Sequence, residues 1–230
     1  MSQPERNSGG CTVYLLRHGD SRPDAVRRYI GRTDHPLNEM GWAQAEGWCR
    51  DFSHIQFSHI YCSDLKRSVE TARIIDRRTR TPLTILPELG EINLGHWEGM
   101  PVSEVRRLFP HEYDRRGADL VGYCPAHGES FADLSARVLP VFEGVVQQSK
   151  GNLLIVSHAG VNRVILCHLL GMPLANLFRL EQGYGCLNIL EYAAGSWVVR
   201  RMNIMAKTVF ISKVLPTITG KNNERTGWLR

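Results

Sequence analysis

Two short polar runs in this sequence place a histidine directly after an apolar stretch. Arg17-His18-Gly19 follows residues 11–16, and Ser157-His158 ends residues 152–158; a third apolar run, residues 57–63, is followed by Arg67. A neutral imidazole is a good nucleophile near pH 7, and a guanidinium stays charged and can bond two oxygens of an anion at once. Histidines and arginines brought together in this way indicate chemistry on an oxyanion.

The elements that must position these residues alternate between strand and helix. Apolar runs rich in strand formers predict strands, and helix caps with apolar stripes predict helices. Strands are predicted at residues 11–16, 57–63, 82–89 (strand then loop) and 152–158, with a terminal hairpin of 186–192 and 197–204; helices are predicted from Asn38 to Phe52, Ser63 to Arg78, Pro101 to Phe109, Ser130 to Gln148 with a kink at Pro140, and up to Leu170. This alternation predicts an α/β fold of three layers, with a mostly parallel central sheet between helices.

The predicted strand ends bring the polar residues together. Ligands of such sheets bind beyond the carboxyl ends of the strands, where Arg17, His18, Arg67 and His158 would meet. Glu91 lies in a loop after the third strand, on the same side. Any one of these residues, taken alone, is more often a packed or solvated side chain. Their joint placement favours a functional site.

Charge and domain organisation set further limits. A length of 230 residues suits one domain, predicted here as residues 11–206 with a lid-like excursion near 110–129, after a flexible N-terminus of residues 1–10. The net charge is +5, but the tail, residues 207–230, holds five basic residues and one acidic residue. The main domain therefore has too little positive charge for a nucleic-acid footprint. The tail could contact a nucleic acid or a membrane, although a solvated end is favoured.

Compartment and metal content follow from the cysteines, histidines and apolar runs. The sequence has no apolar run of about 18 residues and no basic-then-apolar start, so neither a transmembrane helix nor a signal peptide is predicted. The six cysteines form no CxxC pair, which favours free thiols and a cytoplasmic location. The histidines lack compact ligand spacing, so neither a metal nor another cofactor is expected.

Five ordered blocks of the sequence resemble one known family. LLRHGDS resembles the defining signature of the histidine phosphatase (phosphoglycerate mutase-like) superfamily. The other blocks are GRTDHPLNEMGWAQA, IYCSDLKRSVETA, LGEINLGHWEG with HGESF, and IVSHAGVNR, and they follow in family order. Together they run from about residue 12 to 192, and five ordered blocks are far more specific than RHG alone.

The resemblance implies a role for each site residue. His18 would be the nucleophile that forms a phosphohistidine, and Arg17 and Arg67 the phosphate clamp, which makes a metal unnecessary. His158 would donate to a phosphoryl oxygen, and Glu91 would be the proton donor, with Glu88 and Glu98 as competing candidates. Further phosphate contacts are expected from Ser21 and Ala159. One departure is Asp24, where many members have asparagine; because an ionised aspartate cannot donate, Asp24 is a doubtful contact and Arg22 a weak substitute.

The resemblance also limits the reaction and its substrate. Two features resemble the phosphatase branch of the family. They are the short stretch between the acid loop, LGEINLGHWEG, which carries Glu91, and the HGES turn, and the sequence of the acid loop itself. This branch includes the α-ribazole phosphatases of cobalamin synthesis and broad-specificity bacterial enzymes. The expected activity is hydrolysis of small phosphate esters. A phosphoglycerate mutase and a non-catalytic phosphate-binding module remain alternatives. No nucleic-acid or membrane partner is expected, and a homo-oligomer stays open.

Overall fold

The computed structural model describes residues 10–207. The predicted N-terminal segment (except Gly10) and the basic tail beyond Lys207 therefore lie outside the described residues. Within residues 10–207, no helix is long and apolar enough to cross a membrane.

One six-stranded sheet forms the centre of the molecule. Its strands are β1 (Cys11–Arg17), β2 (Phe57–Cys62), β3 (Leu83–Ile85), β4 (Gly151–Ser157), β5 (Leu187–Ala193) and β6 (Ser196–Ile204). Their order is β3-β2-β4-β1-β5-β6. Strands β1 to β4 are parallel to one another, whereas β5 pairs antiparallel with both β1 and β6. The predicted mostly parallel α/β sheet with a terminal hairpin is confirmed.

Helices cover both faces of this sheet. They are α1 (Glu39–Asp51), α2 (Lys66–Thr79), α3 (Val102–Leu108), α4 (Pro110–Ala118), α5 (Phe131–Gln148) and α6 (Ala159–Leu169). Successive strand residues point to opposite faces: Leu15 lies in the core beneath α5 and α6, and Leu16 in the core beneath α1 and α2. Two predicted caps are present, since Asn38 accepts a bond from Gly41 N and Ser130 forms a capping box with Asp133.

Two local predictions were wrong. No helix was predicted in the excursion (residues 110–129), but α4 occupies its first half; α4 buries none of its residues, so no apolar stripe marks it in the sequence. Ser63 does not cap α2, which begins at Lys66 after Leu65. The Ser63 hydroxyl instead forms a hydrogen bond with His158.

Candidate active site

His18 lies just beyond the carboxyl end of β1, in the middle of the sheet. Its backbone N–H donates to Ser157 O at the end of the neighbouring strand β4, at 2.9 Å. Gly19 follows because α1 packs against this point: a Cβ on Gly19 would lie 2.5 Å from Gly41 O. Gly19 does not adopt a left-handed φ. Glycine is therefore required here for close packing rather than for a special backbone conformation.

The imidazole of His18 is fixed in one tautomer. Its Nδ1 is 2.7 Å from Gly19 O, so Nδ1 carries the proton and donates it to that carbonyl. Nε2 then holds the lone pair and accepts a bond from Arg67 Nε at 3.2 Å. Burial, then the charges of Arg67 and Arg17, lower the pKa of His18 well below its usual value. The ring is thus a neutral base with its free electron pair directed to the side of Arg67.

Arg67 is held by a turn that a carboxylate supports. Its Nη1 donates to Thr33 O at 2.7 Å and its Nη2 to Gly31 O at 2.6 Å. The N–H groups of the same turn donate to Glu98, including Arg32 N at 2.7 Å, and Thr33 Oγ1 adds a bond of 2.6 Å. Burial acts to raise the pKa of Glu98, but these bonds lower it. Glu98, a competing candidate for the proton donor, is occupied in supporting Arg67.

Arg17 is the last residue of β1 and directly precedes His18. Its Nη1 donates to Gln182 O at 2.6 Å. Its Nε is buried and has no hydrogen-bond partner among residues 10–207. A buried donor without a partner is costly unless a ligand supplies the acceptor. An oxyanion beside His18 would supply it.

His158 comes from the end of β4, and its ring centroid lies 4.9 Å from that of His18. Its Nε2 is 2.7 Å from Ser63 Oγ, which itself accepts a bond from Leu65 N. When the Ser63 hydroxyl donates to Nε2, the ring proton lies on Nδ1. Burial, then the charges of His18, Arg67 and Arg17, lower the pKa of His158. Nδ1 is buried without a partner in the described chain, so it can donate to an anion.

Glu91 reaches the same strand-end edge of the sheet from the loop after β3. Its Oε2 accepts from Gly160 N, in the first turn of α6, and its Oε1 accepts from Ile92 N, each at 3.0 Å. A Cβ on Gly160 would lie 2.4 Å from Glu91 Oε1, so glycine is needed for this contact. Glu91 is 8% exposed, whereas Glu88 faces solvent. Of the three candidates, the structure therefore brings Glu91 to the site, where both of its carboxyl oxygens are held by backbone N–H groups.

The remaining candidates divide into two groups. Ser21 and Ala159 are buried on the two segments that follow β1 and β4. Asp24 pairs with Arg28 at 2.8 Å on the surface, and Arg22 pairs with the buried Asp20. Neither Asp24 nor Arg22 has its charge free for a ligand. Arg17, His18, Arg67 and His158 are called the cradle below.

The excursion is fastened to the loop that carries Glu91. Asn93 N donates to Glu129 Oε2 at 2.9 Å, and Glu129 N donates to Asn93 O at 2.7 Å. From α5, Arg137 binds both oxygens of Glu129 and the carbonyl of Gly90. On α4, the Arg116 guanidinium lies 6.0 Å from the ring centroid of Phe178. The excursion and the acid loop therefore form one connected unit.

Tyr184, whose ring centroid lies 3.6 Å from the Arg17 guanidinium carbon, escaped the motif analysis. Ser63 and Glu98 were singled out there as a helix start and a candidate proton donor. In the structure Ser63 orients His158, and Glu98 supports the turn that holds Arg67. Tyr184 has no local sequence signal apart from its two flanking glycines. No group of three or more His, Cys, Asp or Glu within the described chain is arranged to hold a metal ion.

The sequence model of the histidine phosphatase superfamily (branch 1) matches residues 13–205. The chain belongs to this superfamily. A curated relative named adenosylcobalamin/alpha-ribazole phosphatase, from Salmonella typhimurium, is 32% identical over 197 residues, covering 84% of this chain and 96% of the relative. A protein named probable phosphoglycerate mutase GpmB, from Yersinia pestis, is 32% identical over 190 residues, covering 81% and 87%.

A solved structure gives the same assignment. The alpha-ribazole phosphatase from Shigella flexneri superposes with a TM-score of 0.79 at 28% identity, covering 84% of this chain and 96% of that one. The predicted family and phosphoglycerate mutase-like fold are confirmed. This histidine phosphatase is an enzyme that acts on phosphate esters, as its sequence predicted.

Proposed function

We propose that this histidine phosphatase hydrolyses small phosphomonoesters through a phosphohistidine on His18, without a metal ion. The observation that carries the proposal is the state of His18: the imidazole is neutral, its Nδ1–H donates to Gly19 O, and its Nε2 lone pair faces Arg67 Nε. Covalent catalysis splits one difficult displacement into two easier ones.

In the first step, His18 Nε2 attacks the phosphorus and the bond to the leaving oxygen breaks. The transferred group carries its charge on three equatorial oxygens, so catalysis depends mainly on position and electrostatics. Arg17 Nε and His158 Nδ1 are buried donors in need of acceptors, and Arg67 Nε moves from Nε2 to a phosphoryl oxygen as the new N–P bond forms. Ser21 and Ala159 complete the phosphate contacts.

Glu91 supplies the proton and later removes one. As a carboxylic acid it protonates the leaving alkoxide, which becomes the free alcohol. As a carboxylate it then takes a proton from water, whose oxygen attacks the phosphohistidine. The N–P bond breaks, inorganic phosphate leaves, and His18 regains its lone pair. The anchorage of Glu91 by two backbone N–H groups keeps it in place for both steps.

The similarity to curated relatives suggests which phosphate ester to test first. The protein named adenosylcobalamin/alpha-ribazole phosphatase is matched over nearly its whole length. We therefore propose α-ribazole 5'-phosphate as the first substrate to test, in a cytoplasmic enzyme of cobalamin synthesis built as one domain of residues 11–206, with the excursion as its lid. No nucleic-acid or membrane partner is proposed, and a homo-oligomer is compatible with this function.

The test is release of inorganic phosphate from a panel of esters, including α-ribazole 5'-phosphate, after exhaustive treatment with a chelator. We expect turnover without metal, and a quenched sample should carry an acid-labile phosphoryl group on the peptide containing His18. A requirement for added Mg²⁺, or a phosphoryl group on another residue, would contradict the proposal.

The mutase alternative has a specific observation in its favour, the similarity to GpmB of Yersinia pestis. A mutase returns the phosphoryl group to a second hydroxyl and must keep water away meanwhile. Incubation with 3-phosphoglycerate and 2,3-bisphosphoglycerate separates the two activities. Isomer exchange without release of phosphate would identify a mutase, whereas release of phosphate identifies the phosphatase.

A further inference from the structure

Tyr184 lies beside Arg17 and His18, near the end of the segment that connects α6 to β5. Its ring centroid is 3.6 Å from the Arg17 guanidinium carbon, and 5.7 Å from the centroid of the His18 ring. Tyr184 thus lies against both a clamp arginine and the nucleophile.

The loop that carries Tyr184 is tied directly to the backbone of the nucleophile. Gly185 N donates to His18 O, and Arg17 N donates to Cys186 O, each at 2.9 Å. Trp48 Nε1 donates to Gly185 O at 2.6 Å. Gly185 has a φ of +67°, a conformation that other residues rarely adopt. The backbone on either side of the Tyr184 ring is therefore held against that of Arg17 and His18.

The same loop holds the guanidinium of Arg17 from a second direction. The Gln182 carbonyl accepts from Nη1 of Arg17 at 2.6 Å. The Gln182 side chain is buried and bonded to Asn162 and Asn188, so that carbonyl is held in place. One end and one face of the guanidinium are then occupied. The Nε edge, which is buried and has no partner in the described chain, remains for a ligand.

We propose that Tyr184 is a positioning residue, which sets the plane of the Arg17 guanidinium so that its Nε edge meets the oxygens of the phosphoryl group. The stacked ring prevents rotation of the guanidinium, and a bidentate contact depends on that plane. The aromatic face also attracts the cation, by an amount that increases when water is excluded. This role rests on the proposed function, because Arg17 must be part of the phosphate clamp.

The experiment measures the affinity for inorganic phosphate by calorimetry, and kcat and KM for p-nitrophenyl phosphate. We expect Tyr184→Leu to weaken phosphate binding and lower kcat/KM by about 5- to 30-fold, the effect of a partly desolvated cation–π contact. Tyr184→Phe, which retains the ring, should stay within about twofold of the parent. Tyr184→Met provides a second variant without the ring if the leucine variant unfolds at assay temperature.

A double-mutant cycle makes the test specific. In an Arg17→Ala background, Tyr184→Leu should lower kcat/KM by less than about a further twofold, because the ring acts through Arg17. In a Glu91→Gln background, Tyr184→Leu should still lower kcat/KM by about 5- to 30-fold. Additive losses with Arg17→Ala, a phenylalanine variant as weak as the leucine one, or unchanged phosphate affinity in Tyr184→Leu would each overturn the proposal. Phosphate affinity needs no turnover, so an inactive parent enzyme would contradict the proposed function and leave the role of Tyr184 to be decided by binding.

Discussion

The cradle and the excursion lie in the same domain but are built in opposite ways. His18, Arg67 and His158 are at most 4% exposed, and hydrogen bonds to strand ends or to a supported turn hold them. In the excursion, α4 buries no residue and its arginines contact aromatic rings. The cradle must present the same donors to the phosphoryl group of every ester. The sequence of the excursion has no such constraint and can differ between enzymes that act on esters of different alcohols. We expect reaction chemistry and substrate choice to be separable in this enzyme.

Replacement of the nucleophile should have the largest effect. His18→Ala should lower kcat/KM by roughly 10³-fold or more, because the covalent route is lost. The loss should be similar for every ester, since the phosphoryl group is common to all. Steady-state rates on three or more esters would check this, and substantial turnover of any one of them would contradict the assignment of His18.

Glu91 joins the two regions, so its replacement should distinguish between leaving groups. Glu91→Gln should slow alkyl esters by about 10²-fold, the usual contribution of a general acid. It should slow p-nitrophenyl phosphate much less, because that leaving group needs little protonation. Glu88→Gln, in the same loop but exposed, is the control. Equal slowing of both ester types would argue against the acid role.

Glu98 tests whether the cradle depends on its supports. In Glu98→Gln, an amide NH₂ would face some of the N–H groups that now donate to the carboxylate. We expect kcat/KM to fall about 10-fold through displacement of Arg67, and the free energy of unfolding to fall by about 1–3 kcal/mol. Glu104→Gln, which disturbs only a surface pair with Arg107, should change neither quantity. Urea unfolding and the kinetics of both variants decide the point.

The buried histidines make the stability of the cradle depend on pH. Burial, followed by neighbouring positive charges, lowers the pKa of His18 and His158 in the folded protein, whereas in the unfolded chain they titrate near 6.5. Below about pH 6.5 the unfolded state binds more protons, so stability is lost as the pH falls, by roughly 1 kcal/mol per pH unit for each histidine. Urea unfolding at pH 7.5 and 5.5 measures this, and His158→Gln should reduce the slope. Equal stability of the parent at both pH values would contradict the prediction.

Arg116 should show the smallest and most selective effect. Its guanidinium lies near the rings of Tyr29, Phe131 and Phe178, outside the cradle. Arg116→Gln should alter KM by a few-fold for some esters and leave p-nitrophenyl phosphate almost unchanged, as expected of a single partly exposed contact. A uniform loss of kcat over the whole ester panel would show that the two regions are not separable.

Sequence and structure agree best where the information is local. A short run of residues is enough to predict each of three features: the parallel strands, the caps at Asn38 and Ser130, and the cradle residues at the strand ends. Tyr184 was not predicted because its partner Arg17 is distant in the chain, and a tyrosine between glycines carries no signal of its own. Ser63 was assigned to the wrong partner because a serine before a helix resembles a cap until His158 is placed beside it.

The two hydrogen bonds between Asn93 and Glu129 join the ends of the chain segment that lies between them. None of residues 94–128 belongs to the central sheet. A segment whose ends meet, and which supplies no strand, has the properties of an exchangeable cassette. We expect that transplanting residues 94–128 from a relative of different selectivity, with Glu98 retained as the support of the turn that holds Arg67, would transfer ester preference in one step.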